Sequence, residues 1–257
     1  LVLANAWDAA SAALIAAAGA RAIATSSAGL SWSCGYADGD ALPRAALLSA
    51  ARSICAVVTG IPVTVDIEGG YSGDPSDVAE LVAQLFELGV AGVNIEDGSG
   101  APDLLAAKIE AVKRRVRDEG GDIFINARTD VFLRDLVSAD DAERETIARA
   151  GRYAHAGADG IFVPELSERE AIRRIAGAIA RPLNLMAVPG LPPASELYAL
   201  GVRRLSAGAA LAKFTYGAAL EAATAFMRDG DCDVLFSGRS VDYGETNALL
   251  RSGSAVG

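Results

Sequence analysis

Gly19-Ala20-Arg21-Ala22-Ile23, Gly89-Val90-Ala91-Gly92-Val93, Gly157-Ala158-Asp159-Gly160-Ile161 and Gly201-Val202-Arg203-Arg204-Leu205 repeat one pattern at four places in the chain. Each opens on glycine, which readily takes the left-handed conformation that ends a helix, and runs into apolar residues that start a buried strand. The repeat therefore marks helix-to-strand junctions. Working outward from these junctions, eight short apolar strands are predicted near residues 1–5, 22–27, 62–68, 92–97, 122–128, 160–165, 182–187 and 203–208. Helical patterns fall between them, the strongest at Pro75 to Leu88, Leu104 to Asp118, Ala139 to Ala156, Glu168 to Ala180 and Ala210 to Met227. Strands that alternate with helices pair in parallel through helical crossovers, and eight such repeats favour an α/β fold closed as a (β/α)8 TIM-type barrel. An open Rossmann-like sheet is the alternative. Its fingerprint is absent, since Asn5-Ala6-Trp7-Asp8-Ala9-Ala10 follows the first strand where a dinucleotide site needs GxGxxG.

The length of 257 residues suits a single such barrel, and a hydrophobic content of 51% supplies its core. The barrel is assigned to residues 1–230. In residues 231–257 the pattern loosens into Gly, Ser and Asp around Val234-Leu235-Phe236 and Ala248-Leu249-Leu250. With a net charge of -10 and scattered basic residues, there is no electrostatic basis for binding nucleic acid. The longest apolar stretch, Ala9 to Ala20, is too short to span a bilayer, and no secretory signal is visible, so a cytoplasmic location is expected. Cys34, Cys55 and Cys232 form no CxxC pair, which speaks against a disulfide framework or zinc site; Cys34 is expected to be a small buried thiol. His155, the only histidine, is expected on a helix surface. Lys108, Lys113 and Lys213 all fall outside the strands, which sets Schiff-base chemistry aside.

Polar residues gather where the predicted strands end: Asn5 and Asp8, Ser26 and Ser27, Asp66 and Glu68, Glu96 and Asp97, Arg128 and Asp130, Glu165, Asn184 and Ser206. The carboxyl ends of the strands are where a barrel of this kind carries its active site. Because strand side chains two apart share a face, Asp66 and Glu68 are expected to converge, as are Asn126, Arg128 and Asp130, with Glu96 on the neighbouring strand. Three carboxylates so close repel unless something neutralises them. A hard divalent cation does this through oxygen ligands, and magnesium is the choice, manganese the substitute. From pattern alone, pairing with Arg128 or capping of helix starts explains the same acids equally well.

Val65-Asp66-Ile67-Glu68-Gly69-Gly70-Tyr71, Asn94-Ile95-Glu96-Asp97 and Asn126-Ala127-Arg128-Thr129-Asp130, in this order and at these intervals, resemble the isocitrate lyase/phosphoenolpyruvate mutase superfamily. The resemblance extends from Asn5-Ala6-Trp7-Asp8 through Ser26-Ser27-Ala28-Gly29-Leu30 and Gly35-Tyr36-Ala37-Asp38 to Pro164-Glu165. It implies a magnesium-dependent barrel that acts on 2-oxo acids or related carboxylates, making or breaking C–C or P–C bonds through an enolate-like species. By position, Asp66, Glu68 and Glu96 resemble the metal shell and Asp38 an outer member of the site. Glu68 replaces the family's usual aspartate and is longer. Ser26, Ser27 and Ala28 resemble the stretch that holds a substrate carboxylate. Arg128 resembles the arginine that grips the carboxylate or developing oxyanion, a task suited to a permanently charged, fork-shaped donor. Glu165 and Asn184 are carried as site lining. The resemblance also implies a homo-oligomer, tetramer or dimer, with the C-terminal segment exchanged between subunits.

One departure limits the functional reading. Family lyases carry a mobile loop after the Glu96 position, with a cysteine that donates a proton to the departing enolate. Here Glu96-Asp97-Gly98-Ser99-Gly100-Ala101-Pro102-Asp103 runs almost directly into the next helix, without lysine, cysteine or histidine. The expectation is therefore a magnesium enzyme that binds a 2-oxo or 2-hydroxy acid and cleaves an adjacent C–C bond, by 2-methylisocitrate-type lysis or oxaloacetate-type decarboxylation. A 2-oxo acid binding protein that has lost efficient catalysis, and phosphonopyruvate-type P–C chemistry, are the alternatives.

Overall fold

The computed structural model describes residues 1–236 and 240–253. Its strands are β1 (Val2–Leu3), β2 (Asn5–Ala6), β3 (Ile23–Thr25), β4 (Val63–Asp66), β5 (Gly92–Glu96), β6 (Phe124–Arg128), β7 (Gly160–Val163), β8 (Leu183–Met186) and β9 (Val202–Ser206). All pair in parallel, in the order β1-β9-β8-β7-β6-β5-β4-β3-β2. The two ends of this series, β1 and β2, are separated only by Ala4. They are one predicted first strand that changes neighbour midway, from β9 to β3, and so draws the sheet into a barrel of eight strand positions.

The helices are α1 (Ala9–Ala17), α2 (Ser27–Ser33), α3 (Arg44–Val57), α4 (Pro75–Glu87), α5 (Pro102–Asp118), α6 (Ala139–Ala156), α7 (Arg169–Ala178), α8 (Ala194–Ala199), α9 (Ala210–Asp229) and α10 (Tyr243–Gly253). Local chemistry sets several boundaries. Asp8 and Ser11 form a capping box at the start of α1, Asp74 caps α4 with Pro75 in its first turn, and Glu168 caps α7. The four glycines of the repeat, Gly19, Gly89, Gly157 and Gly201, have φ of 89°, 89°, 111° and 104°. Each is left-handed at its helix end, as the repeat requires.

The main apolar cluster lies between sheet and helices, where Val63, Val65, Val93, Ile95, Ile125 and Ala127 from the strands meet residues such as Leu81, Leu85, Ile109 and Val112. A separate cluster of only Leu3, Ala22 and Ala24 lies inside the barrel. Barrel interiors of this class are ordinarily filled by layers of Val, Ile and Leu. This interior is polar instead. Arg204 of β9 donates to Asn94 of β5 at 3.3 Å, a bond between strands that are not neighbours in the sheet and that must cross the barrel. At the amino ends of the strands a cavity of about 380 Å³ opens, with Leu3, Ala22, Thr64, Gly92, Asn126 and Arg204 in its lining.

Beyond α9 the chain forms a 3-10 turn at Asp233–Phe236 and then α10, which lies against α1 and α3 of its own chain. Residues 237–239 and 254–257 of the predicted tail fall outside the described residues. Among the described residues, no helix is long and apolar enough to cross a membrane. His155 is exposed near the end of α6, as expected. Cys34 is exposed too, contrary to the expected buried thiol, because it ends α2 at the surface instead of entering the core.

Candidate active site

The carboxyl ends of β4, β5 and β6 bring Asp66, Glu96 and Arg128 to the barrel mouth. Register fixes their heights: Asp66 pairs with Asn94, and Glu96 with Arg128. Arg128 lies between two carboxylates. Its Nη1 is 2.5 Å from Glu96 Oε2, while Nε and Nη2 donate to Asp130 at 2.6 and 3.0 Å. The guanidinium also sits over the Phe162 ring, 5.8 Å from its centroid. Burial works against its charge, but Glu96, Asp130 and Asp66 outweigh this and hold its pKa above the ordinary value.

Asp66 is buried and accepts at both oxygens, from the Glu68 backbone N–H at 3.1 Å and from Asn94 Nδ2 at 3.1 Å. Asn94 can face it only one way. Its Oδ1 accepts from Asn126 Nδ2 at 2.9 Å and from Arg204, and arginine has no acceptor to offer a flipped amide. Burial raises the pKa of Asp66 while Arg128, Asn94 and the Glu68 N–H pull it back. Burial likewise pushes Glu96 up to about 8, with Arg128 opposing and Asp66, Asp130 and Glu68 reinforcing. Asp66, Glu96 and Asp130 thus gather around Arg128, and Asp130 is shared with Arg134 at 2.9 Å. Asp38, on an exposed segment after α2, adds its charge to Asp66 and Glu68.

The expected convergence of Asp66 and Glu68 does not occur. β4 ends at Asp66, and Glu68 has a left-handed φ of 51°, so strand alternation no longer governs it. Its carboxylate turns to the segment after α2 and accepts from Gly39 N at 2.8 Å, from Asp40 N and from the Tyr71 hydroxyl at 3.0 Å. Among the described residues, no three His, Cys, Asp or Glu side chains form a group that could hold a metal ion. The fit to magnesium therefore rests on fewer protein oxygens, those of Asp66 and Glu96. This is compatible with an ion that keeps several waters beside one or two carboxylates.

The other predicted residues divide. Ser26 caps α2 by accepting from Gly29 N at 3.2 Å, and Ser27 and Ala28 are the first residues of that helix, not a strand end. Their N–H groups belong to a first turn that has no intrahelical acceptor. Asp97 turns away from Glu96: its Oδ2 accepts from Arg149 at 2.9 Å and Tyr153 at 2.5 Å, and its Oδ1 accepts from Asp130 N at 2.9 Å. Asn5 ties strands together, donating to Thr25 O at 2.8 Å and accepting from Gly208 N at 3.0 Å. Asn184 is the second residue of β8, bonded to Ser206 Oγ at 3.2 Å, and so lies a layer below the rim. Glu165 is exposed, with φ of 63°, and makes no hydrogen bond or ion pair among the described residues.

Two groups were missed by sequence reasoning. Lys108 sends Nζ to Gly69 O at 2.6 Å and shares with Glu68, Glu96 and Arg134 the lining of a mouth cavity of about 600 Å³. Its position was a signal, since it falls on the buried stripe Leu105, Ile109, Val112 and Val116 of α5, where helical periodicity calls for an apolar residue. Arg204 is the other. It stands between Val202 and Ser206 on the inward face of β9, and burial lowers its pKa to about 10 with Asp66 opposing the fall.

The fold is a nearly closed parallel barrel of the α/β TIM type that carries acids and an arginine at the carboxyl ends of its strands. Residues 1–227 match the model of the phosphoenolpyruvate phosphomutase family, and the chain belongs to that family, within the isocitrate lyase/phosphoenolpyruvate mutase superfamily. An uncharacterized protein of Mycobacterium tuberculosis is 41% identical over 254 residues, 97% of this chain and 91% of that protein. A crystal structure from Burkholderia cenocepacia described as a phosphonomutase is 40% identical, covers 89% of this chain and 94% of its own, and superposes with a TM-score of 0.80. The structure of 2,3-dimethylmalate lyase, a member of the same superfamily, is 27% identical with a TM-score of 0.82, covering 99% of this chain and 89% of its own.

Proposed function

We propose that this protein is a magnesium-dependent lyase that binds a 2-oxo or 2-hydroxy acid and cleaves an adjacent C–C bond through an enolate. The observation that carries this reading is Arg128, fixed between Glu96 and Asp130 and facing the buried Asp66 at the mouth. Asp66 and Glu96 would hold the cation, which when bound supplies positive charge to the substrate's oxo oxygen. The protein's own groups do the rest. Ser26, Ser27 and Ala28 present a helix start to the substrate carboxylate, and Arg128 is pre-oriented by Asp130 to meet charge as it develops. Superfamily membership and the likeness to a lyase over nearly the whole chain support C–C cleavage.

Purified protein with magnesium and a panel of oxaloacetate, 2-methylisocitrate, 2,3-dimethylmalate and phosphonopyruvate, followed by NMR of the products, tests the reading. Turnover of a C–C substrate is expected, with its loss in Asp66→Ala. Unchanged magnesium-dependent turnover in that variant would remove the proposed centre. A second reading is a 2-oxo acid binding protein. The short stretch from Asp97 to the start of α5, which carries no acid group beyond Asp97 itself, favours it, and Asp97 is turned away into the helix layer. Thermal stabilisation by these acids without any product would select the second reading. The exposed apolar side chains Phe214, Leu220 and Met227 on α9 support a homo-oligomer of this enzyme.

A further inference from the structure

The longer side chain of Glu68 has its own set of partners. Oε2 accepts the backbone N–H groups of Gly39, at 2.8 Å, and Asp40, while Oε1 accepts the Tyr71 hydroxyl at 3.0 Å. Gly39 and Asp40 are consecutive left-handed residues, with φ of 107° and 57°. Successive N–H groups in such turns point to one side and form a concavity that suits an anion. The contact is returned, because Asp40 Oδ1 accepts from Tyr71 N at 3.4 Å. Gly69 makes room for this exchange: a Cβ there would stand 3.0 Å from Asp40 Oδ2. Lys108 Nζ, on the Gly69 carbonyl at 2.6 Å, pins the same turn to α5.

On the other side, residues 36–41 are exposed, and Asp38 lies among them. Among the described residues, the hydrogen bonds of residues 37–42 run only to Glu68 and Tyr71. An exposed segment without other bonds opens freely unless something holds it. Glu68 is buried, both its oxygens accept from donors of the two turns, and Asp40 meets Tyr71 beside it.

We propose that Glu68 is a positioning residue: it latches the Asp38-bearing segment onto the barrel mouth and gives no oxygen to a cation. An aspartate at this position would be one methylene shorter, and it is the glutamate that reaches the Gly39–Asp40 turn. In a chain whose segment after β5 is short, this latch fixes one wall of the mouth. The latch stands on geometry alone; only its separation from the cation rests on the function proposed above.

Two variants put latch and ligand in opposite order. Glu68→Asp keeps the charge and restores the family residue but shortens the reach; Glu68→Gln keeps the reach and a carbonyl oxygen but loses the charge. Hydrogen exchange at the Gly39 and Asp40 amides is expected to quicken at least about tenfold in Glu68→Asp and to stay within about threefold of native in Glu68→Gln. Calorimetric titration with magnesium is expected to give Glu68→Gln an affinity within about tenfold of native. Native exchange rates in Glu68→Asp, or faster exchange in Glu68→Gln than in Glu68→Asp, would overturn the latch, and a loss of magnesium affinity of about a hundredfold in Glu68→Gln would overturn its separation from the cation. If the native protein binds no divalent cation, the proposed function fails while the order of exchange rates still decides the latch. Circular dichroism and Tm on both variants separate these effects from unfolding.

Discussion

On their outer face β4, β5 and β6 carry Val63 and Val65, Val93 and Ile95, Ile125 and Ala127, all in one apolar cluster with the helices; on their inner face the same strands carry Thr64 and Asp66, Asn94 and Glu96, Asn126 and Arg128. The outer layer is filled by non-directional contacts that exclude water. The inner layer is a chain of directed bonds from Arg204 through Asn94 to Asp66, and it leaves Thr64 Oγ1, Asn126 Oδ1, Asn184 Oδ1 and Arg204 Nε without protein partners. An unpaired buried polar group costs about 1–3 kcal/mol unless water meets it. The cavity at the amino ends of the strands borders Thr64, Asn126 and Arg204, so the inner layer has room for water. Glycine makes that interior passable: a Cβ on Gly160 would stand 2.7 Å from Asn126 Oδ1.

The sharpest way to break this contrast is Asp97→Ala, since Asp97 sends Oδ2 to Arg149 and Tyr153 in the outer layer while its Oδ1 accepts from Asp130 N in the site. It would leave Arg149, itself buried, with Glu145 alone, and strip Tyr153 of its acceptor. A loss of roughly 3–5 kcal/mol is expected in urea unfolding, as for other broken buried pairs. A smaller loss, roughly 2–5 kcal/mol, is expected for Ile109→Ala, which empties a fully buried position between α5 and the sheet. Ligand affinity measured below the unfolding transition should stay native in Ile109→Ala and fall in Asp97→Ala, which also removes the acceptor of the Asp130 N–H at 2.9 Å; a fall in Ile109→Ala would mean that packing alone couples the two layers. The smallest effect on stability is expected inside. Asn126→Ala removes one hydrogen bond to Asn94 together with an unpaired oxygen, so unfolding should shift by only about 1 kcal/mol. Ligand affinity and turnover should fall instead, because Asn94 then has Arg204 alone to orient its amide toward Asp66.

Much of the architecture was legible in the sequence because it depends on local signals. The four glycine junctions, the helix periodicity and the strand order each rest on residues close together in the chain, and the helices predicted at Pro75 and Ala139 begin at those residues. The site was legible as a set of strand-end residues, less so as a geometry. Asp66, Glu96 and Arg128 met as their parity required. Glu68 escaped because one left-handed residue beyond a strand end cancels alternation. Ser27 was read as strand and proved helical, since Ser26 caps α2 at once. Asn184 was read as rim and proved deeper, because β8 begins only one residue before it.

The sequence by itself determined the eight-fold alternation, the family and the residues that chemistry must draw on, since spacing and residue type are properties of the chain. Only the tertiary structure decided their partners. Arg204 meets Asn94 across the barrel from 110 positions away, and Glu68 meets Gly39 across 29. Which donor a buried carboxylate finds depends on strand register, turn conformation and the closing of the barrel, and none of these is encoded at the acid itself.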